Sequence, residues 1–67
     1  MIERRTEFWS RAIKDFRRKY NLTQEEFAYG CGLTRTAVVF IENRYNKRVQ
    51  KITAEALAKY MNIEAKL

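Results

Sequence analysis

The chain has 67 residues, 46% of them hydrophobic, with no proline and two glycines. That length leaves no room for a second domain and buries only ~60% of the unfolded surface, so residues 1–67 are expected to form one small domain of modest stability. Fourteen basic against eight acidic residues give a formal charge of +6, a balance that points to a polyanionic partner, nucleic acid before an anionic membrane.

The opening MIERRTEFW lacks the apolar stretch of a signal peptide, so the chain is expected in the cytoplasm. A first helix is predicted from near Thr6 to about Tyr20. Trp9, Ile13, Phe16 and Tyr20 recur at helical steps, and Arg11, Lys14, Arg18 and Lys19 occupy the opposite face. Asn21 is its stop. Thr23 with Glu26 then forms a capping box, flanked by Leu22 and Phe27 in the positions of a hydrophobic staple. Gly30 and Gly32 bracket Cys31 and end this second helix, since glycine readily supplies a positive φ. Cys31 is the sole cysteine and there is no histidine, which excludes an internal disulfide, a zinc site and a Cys–His nucleophile. No catalytic residue, cofactor or metal is expected, and the chain does not read as an enzyme.

Leu33-Thr34 repeats the start signal, with Leu33 and Val38 as a second staple. Two short helices joined by a glycine turn make a helix-turn-helix at about 23–43. Around the third helix, Ala37, Val38 and Ile41 share one side, and Arg35, Thr36, Val39, Phe40 and Asn43 the other. Its run Ala37–Ile41 is the longest apolar run, far below the ~20 residues that span a bilayer, so no membrane is expected as partner. The segment RYNKRVQK carries Arg44, Lys47, Arg48 and Lys51 around Tyr45, a basic loop suited to phosphate. Thr53 is the expected cap of a fourth helix, in which Ala56 or Leu57, Tyr60 and Met61 face inward and which Asn62 closes. The pattern predicts an all-α fold, a compact bundle of four to five short helices without a sheet. Its predicted core is Trp9, Ile13, Phe16, Phe27, Ala28, Cys31, Leu33, Val38, Ile41, Leu57 and Met61.

Small Ala28, turn Gly32 and apolar Val38 and Ile41 resemble the marker positions of the helix-turn-helix in phage Cro and repressor proteins, the XRE-like family. Thr23-Gln24-Glu25-Glu26, Leu33-Thr34-Arg35 and Ile41-Glu42-Asn43 resemble its recurrent strings, and the resemblance runs from about Ile13 to Ile63. It implies a lambda repressor-like fold, a small buried thiol at Cys31, and an ion pair between Arg17 and Glu42 that ties the first helix to the third. It also implies a sequence-specific DNA-binding transcription regulator whose recognition helix, Arg35–Asn43, enters the major groove of a double-stranded operator. Base edges would fall to Arg35, Thr36, Val39, Phe40 and Asn43, and phosphates to Gln24 at a helix N-terminus, Thr34, Arg44, Lys47 and Arg48. Such proteins act as homodimers, here through an apolar patch drawn from Phe8, Trp9, Met61, Ile63 or Leu67. Trp9 and Met61 thus stand in two expectations at once.

The chain departs from the family at three places. Val39 and Phe40 replace polar residues, Val49 replaces a frequent proline, and Arg44 replaces a frequent glycine, so that Asn43 or Asn46 is expected to make the turn in αL. The adjacent Val39 and Phe40 support an alternative function, a helix-turn-helix scaffold that binds protein, such as an antirepressor seated on a phage repressor or an antitoxin. Its interface would be Val39, Phe40, Trp9, Met61 and Ile63.

Overall fold

Four helices follow one another through the computed structural model, which describes residues 1–66: α1 (Thr6–Tyr20), α2 (Gln24–Cys31), α3 (Arg35–Glu42) and α4 (Lys51–Met61). Among the described residues there is no strand, only isolated β-bridges between Ile2 and Lys66 and between Arg5 and Arg48. Leu67, one of the patch candidates, lies outside the described residues.

Local chemistry starts the two motif helices. Thr23 Oγ1 accepts the Glu26 N–H at 3.0 Å, and Glu26 Oε1 accepts the Thr23 N–H at 2.8 Å, completing the capping box. Thr34 Oγ1 accepts the Ala37 N–H at 3.1 Å. The fourth helix corrects the expectation of a Thr53 cap, because it starts at Lys51, after an N-cap Gln50 whose side chain makes no capping bond. The reason is distant in sequence. The Val49 N–H donates to the Arg4 carbonyl and Arg4 Nε donates to the Val49 carbonyl, each at 2.8 Å, which keeps the chain extended up to Gln50.

All four helices stop in the same way, on a left-handed residue followed by an N–H that reaches the carbonyl five residues back. The left-handed residues are Asn21 (φ 55°), Gly32 (77°), Arg44 (57°) and Asn62 (53°), and the closing bonds are Leu22 to Arg17, Leu33 to Ala28, Tyr45 to Phe40 and Ile63 to Ala58. Arg44 itself therefore makes the turn expected of Asn43 or Asn46, neither of which has a positive φ. Gly30 is likewise not a stop but an interior residue of α2, where a Cβ would run into the phenol ring of Tyr60.

Trp9, Ile13, Phe27, Val38, Ala54 and Leu57 are fully buried, with Ala28, Ile41, Val49, Met61 and Ala65 nearly so. Phe16, Cys31 and Leu33 pack at the border. Tyr20, left out of the predicted core, is a surface residue, 54% exposed. Its ring rests on Phe16 at 4.6 Å between centroids. Trp9 and Met61 are corrected out of the exposed patch, being 0% and 6% exposed. Trp9 is held there by burial of its rings and by Nε1, which donates to the Glu3 carbonyl at 2.7 Å, meeting the need of a buried indole for an acceptor.

Glu3 is buried, while its partner Arg5 is exposed. Its carboxylate accepts from Arg5 Nε (3.0 Å), Nη2 (2.9 Å) and N–H (2.8 Å), and the Arg5 guanidinium foremost holds its pKa at about 2 against an ordinary 4.5. A pKa depressed in the folded state contributes stability that is complete above the unfolded value and is lost as pH falls through the folded one. Replacing Glu3 with Gln is therefore expected to flatten the acid limb of the stability curve between pH 4.5 and about 2, as followed by circular dichroism.

The Gly30–Tyr60 contact gives a sharper test. In an open helix Gly→Ala gains ~1 kcal/mol, but here the new methyl meets a ring packed on Phe16 and Phe27, at centroid distances of 5.5 and 5.3 Å. Gly30→Ala should destabilise the protein by about 1–2 kcal/mol. The same change in a Tyr60→Ala background should stabilise it by up to ~1 kcal/mol, so that urea titrations of the four proteins show strong non-additivity.

Candidate nucleic-acid interface

The position of α3 is fixed at its C-terminal end by one carboxylate. Glu42 is 6% exposed. Its oxygens accept from Arg17 Nη1 on α1 at 3.0 and 2.9 Å, and from the Gln24 side-chain amide at the start of α2 at 3.0 Å. The Glu42 carbonyl accepts the Ser10 hydroxyl of α1 at 2.8 Å, and Arg17 Nε also donates to the Leu22 carbonyl at 3.1 Å. The Arg17–Glu42 pair expected from the family resemblance is therefore present, and Gln24 and Ser10 join it. With Val38, Ile41 and Glu42 buried, the opposite side of α3 is left outward: Arg35, Thr36, Phe40 and Asn43 are exposed and Val39 is half-buried.

Two anion-ready elements flank this face. At one end, Arg35 shares an open cleft of about 470 Å³ with Arg17, Asn21, Thr23, Gln24 and the acidic Glu25, at the N-terminus of α2. The Gln24 and Glu25 N–H groups have no acceptor among the described residues, and neither do those of Arg35 and Thr36 behind the Thr34 cap. Free donors at a helix start favour an anion. The Gln24 side chain turns inward to Glu42, so its end of the site offers backbone donors first. At the other end, Arg44, Tyr45, Asn46, Lys47 and Arg48 are all exposed. Among the described residues the ion pairs are Arg5–Glu3, Arg17–Glu42 and Arg18–Asp15, so Arg35, Arg44, Lys47 and Arg48 keep their charge unpaired.

Phe40 has a neighbour that sequence reasoning missed. Its ring stands edge-on to Tyr45 at 5.0 Å, and the two residues occupy the C3 and C″ positions of the α3 stop, where a hydrophobic contact commonly accompanies the left-handed turn. The signal was the spacing of five residues across Arg44. Beneath Phe40 a notch of about 200 Å³ opens toward Asn46, Val49 and Thr53. Cys31 ends α2, half-buried, with Sγ 3.7 Å from the Ala28 carbonyl and its thiol pKa pushed up by desolvation. Among the described residues no cluster of acidic, cysteine or histidine side chains has the makings of a metal site, and no helix is long and apolar enough to cross a membrane.

A helix-turn-helix family model matches residues 13–66 of this chain. The chain belongs to the XRE-like helix-turn-helix family. Its family span contains all of α2, α3 and α4 and the second half of α1. The chain is also 51% identical, over 35 residues, to a protein of the archaeon Archaeoglobus fulgidus named an uncharacterised HTH-type transcriptional regulator. That match covers 51% of the chain and 49% of the relative, so the chain spans about half the length of the curated relative it matches. No solved structure gives a significant match.

The Glu42 junction makes the first demand on any member built this way. Glu42→Ala leaves Arg17 and Gln24 without their acceptor in a largely dry site and is expected to cost about 3 kcal/mol, a fall in Tm of more than ~10 °C. The Arg18–Asp15 pair is 82% and 66% exposed at its side chains, and Asp15→Ala should stay within about 0.5 kcal/mol of wild type. Calorimetry on both variants checks the contrast.

Proposed function

We propose that this chain is a small sequence-specific DNA-binding transcription regulator of Cro or repressor type. In this reading α3 lies in the major groove of an operator. Arg35, Thr36, Val39, Phe40 and Asn43 meet base edges, while Gln24, Thr34, Arg44, Lys47 and Arg48 hold phosphates. The observation that carries it is the set of exposed, unpaired cations, Arg35, Arg44, Lys47 and Arg48, at the two ends of the outward face of α3. The name of the archaeal relative supports the same reading.

A single recognition helix contacts few base pairs, so the proposal includes a homodimer on half-sites about one helical turn, ~34 Å, apart. With Trp9 and Met61 buried, the exposed apolar residues available to it include Met1, Ile52 and Ile63. The protein-docking alternative drew on Val39 and Phe40. Phe40 now has a task inside the chain, as the partner of Tyr45 in the α3 stop, which weakens the case for an antirepressor or antitoxin.

The test is selection from random duplexes at ~0.15 M salt, where weak electrostatic binding is screened, followed by titration of the enriched sequence. Arg35→Ala should relax the preference at one base pair, worth ~1–3 kcal/mol. Arg44→Gly should weaken all sequences alike and reduce the log–log salt slope by about 0.9. It should also keep or raise stability by up to ~1 kcal/mol, since a left-handed arginine gives way to glycine. Enrichment of no sequence, together with capture of a repressor that Phe40→Ala abolishes, would overturn the proposal in favour of protein docking.

A further inference from the structure

We infer that residues Glu3–Thr6 form a strap that holds the basic loop in its phosphate-binding conformation, with Arg4 as the positioning residue. The inference rests on the DNA-binding reading, and the strap lies outside the span matched by the family model, which begins at residue 13.

Residues 44–50 form neither helix nor strand. Their middle is held from outside, by the strap. The Thr6 N–H donates to the Lys47 carbonyl at 2.9 Å, the Val49 N–H to the Arg4 carbonyl at 2.8 Å, and Arg4 Nε to the Val49 carbonyl at 2.8 Å. Arg5 and Arg48 face each other across the bridge that results. The Lys47 carbonyl and both backbone groups of Val49 are thus bonded on either side of Arg48, while the Lys47 and Arg48 side chains stay exposed, an arrangement suited to presenting charge.

The strap is itself anchored. Its Glu3 is 4% exposed, clamped by Arg5 and joined through its carbonyl to the buried Trp9 indole. The Glu3 N–H donates to the Ala65 carbonyl, and Ile2 bridges to Lys66. A line of hydrogen bonds therefore runs from the core, through Glu3 and Arg4, to the backbone beside Lys47 and Arg48. Ordering a backbone residue opposes binding by roughly a factor of ten, and a loop ordered beforehand avoids that loss.

Arg4 is also a cation, so its two roles must be separated. Arg4→Met keeps an unbranched, largely apolar side chain and removes both the donor and the charge. Amide hydrogen exchange at Val49 and Thr6 in the free protein reads the strap. Titration with a short random-sequence duplex between ~0.05 and 0.2 M salt reads phosphate binding. Expected are faster exchange at Val49 and an affinity about tenfold lower, with an unchanged salt slope because the same phosphates are still met. Glu3→Gln, which loosens the anchor and leaves Arg4 in place, should give the same pattern in smaller measure, and it serves if Arg4→Met does not fold. A slope reduced by about 0.9 with unaltered exchange would make Arg4 a phosphate contact and overturn the inference. Faster exchange with unaltered affinity would reduce the strap to a structural role, with the same consequence. If the wild type binds no duplex, the DNA reading fails first and this inference with it, whatever the exchange shows.

Discussion

One buried carboxylate sets the geometry on which the rest depends. Glu42 brings α1, the start of α2 and the end of α3 to a single point, through Arg17, Gln24 and Ser10. Removing a carboxylate from water is expensive, and the donors around it offset that loss without much surplus. What the arrangement supplies is direction. An apolar residue in place of Glu42 could fill the space, but it would not fix the roll of α3 about its own axis. That roll decides whether Arg35, Thr36 and Asn43 face outward together. Val38 and Ile41 press the same helix against the core from the other side, so packing and polar bonding agree on one orientation.

The stop of α3 bends a local rule. A left-handed position favours glycine, and a larger residue there carries strain of order 1 kcal/mol. Asn21 and Asn62 tolerate it through their short polar side chains. Arg44 has no such excuse, and the structure surrounds it with compensation: the Tyr45 N–H bond to Phe40, and the contact of the two rings. Strain kept at a site of this kind points to a use for the side chain. The Phe40–Tyr45 contact is then part of the same device, an apolar clasp that lets a cation occupy the turn at the end of α3.

Features encoded within five or six residues were legible in the sequence. The Thr23–Glu26 box, the Thr34 cap, the glycine stop at Gly32 and the asparagine stops at residues 21 and 62 all depend on neighbours along the chain. The Arg17–Glu42 pair, much farther apart in sequence, came from family resemblance, which carries tertiary information that periodicity does not. What escaped has distant causes. The start of α4 at Lys51 follows from Arg4, 45 residues away from Val49. Val49 and Ala65 enter the core as single small apolar residues among polar ones, leaving no periodic trace, whereas Ala54 shares the helical period of Leu57 and Met61 and was overlooked. Gly30 looked like a second stop because the overlap that excludes a side chain there comes from Tyr60 on another helix. Trp9 sat ambiguously between core and patch until the Glu3 carbonyl gave its indole an acceptor.

The anchoring of the N-terminal segment also bears on the order in which the molecule assembles. The helix-turn-helix closes through short stretches of chain, such as Leu33 to Ala28 and Val38 to Thr34. Joining Glu3 to Ala65, or Arg4 to Val49, requires a large ring of chain to close. The entropy of closure grows with the length of that ring, and long-range contacts of this type slow folding. The motif should therefore form early and the strap late. Between those two events a refolding molecule would hold a correctly built α3 next to a loop still free to wander, and the proposed phosphate contacts would be in place only after the final, longest closure.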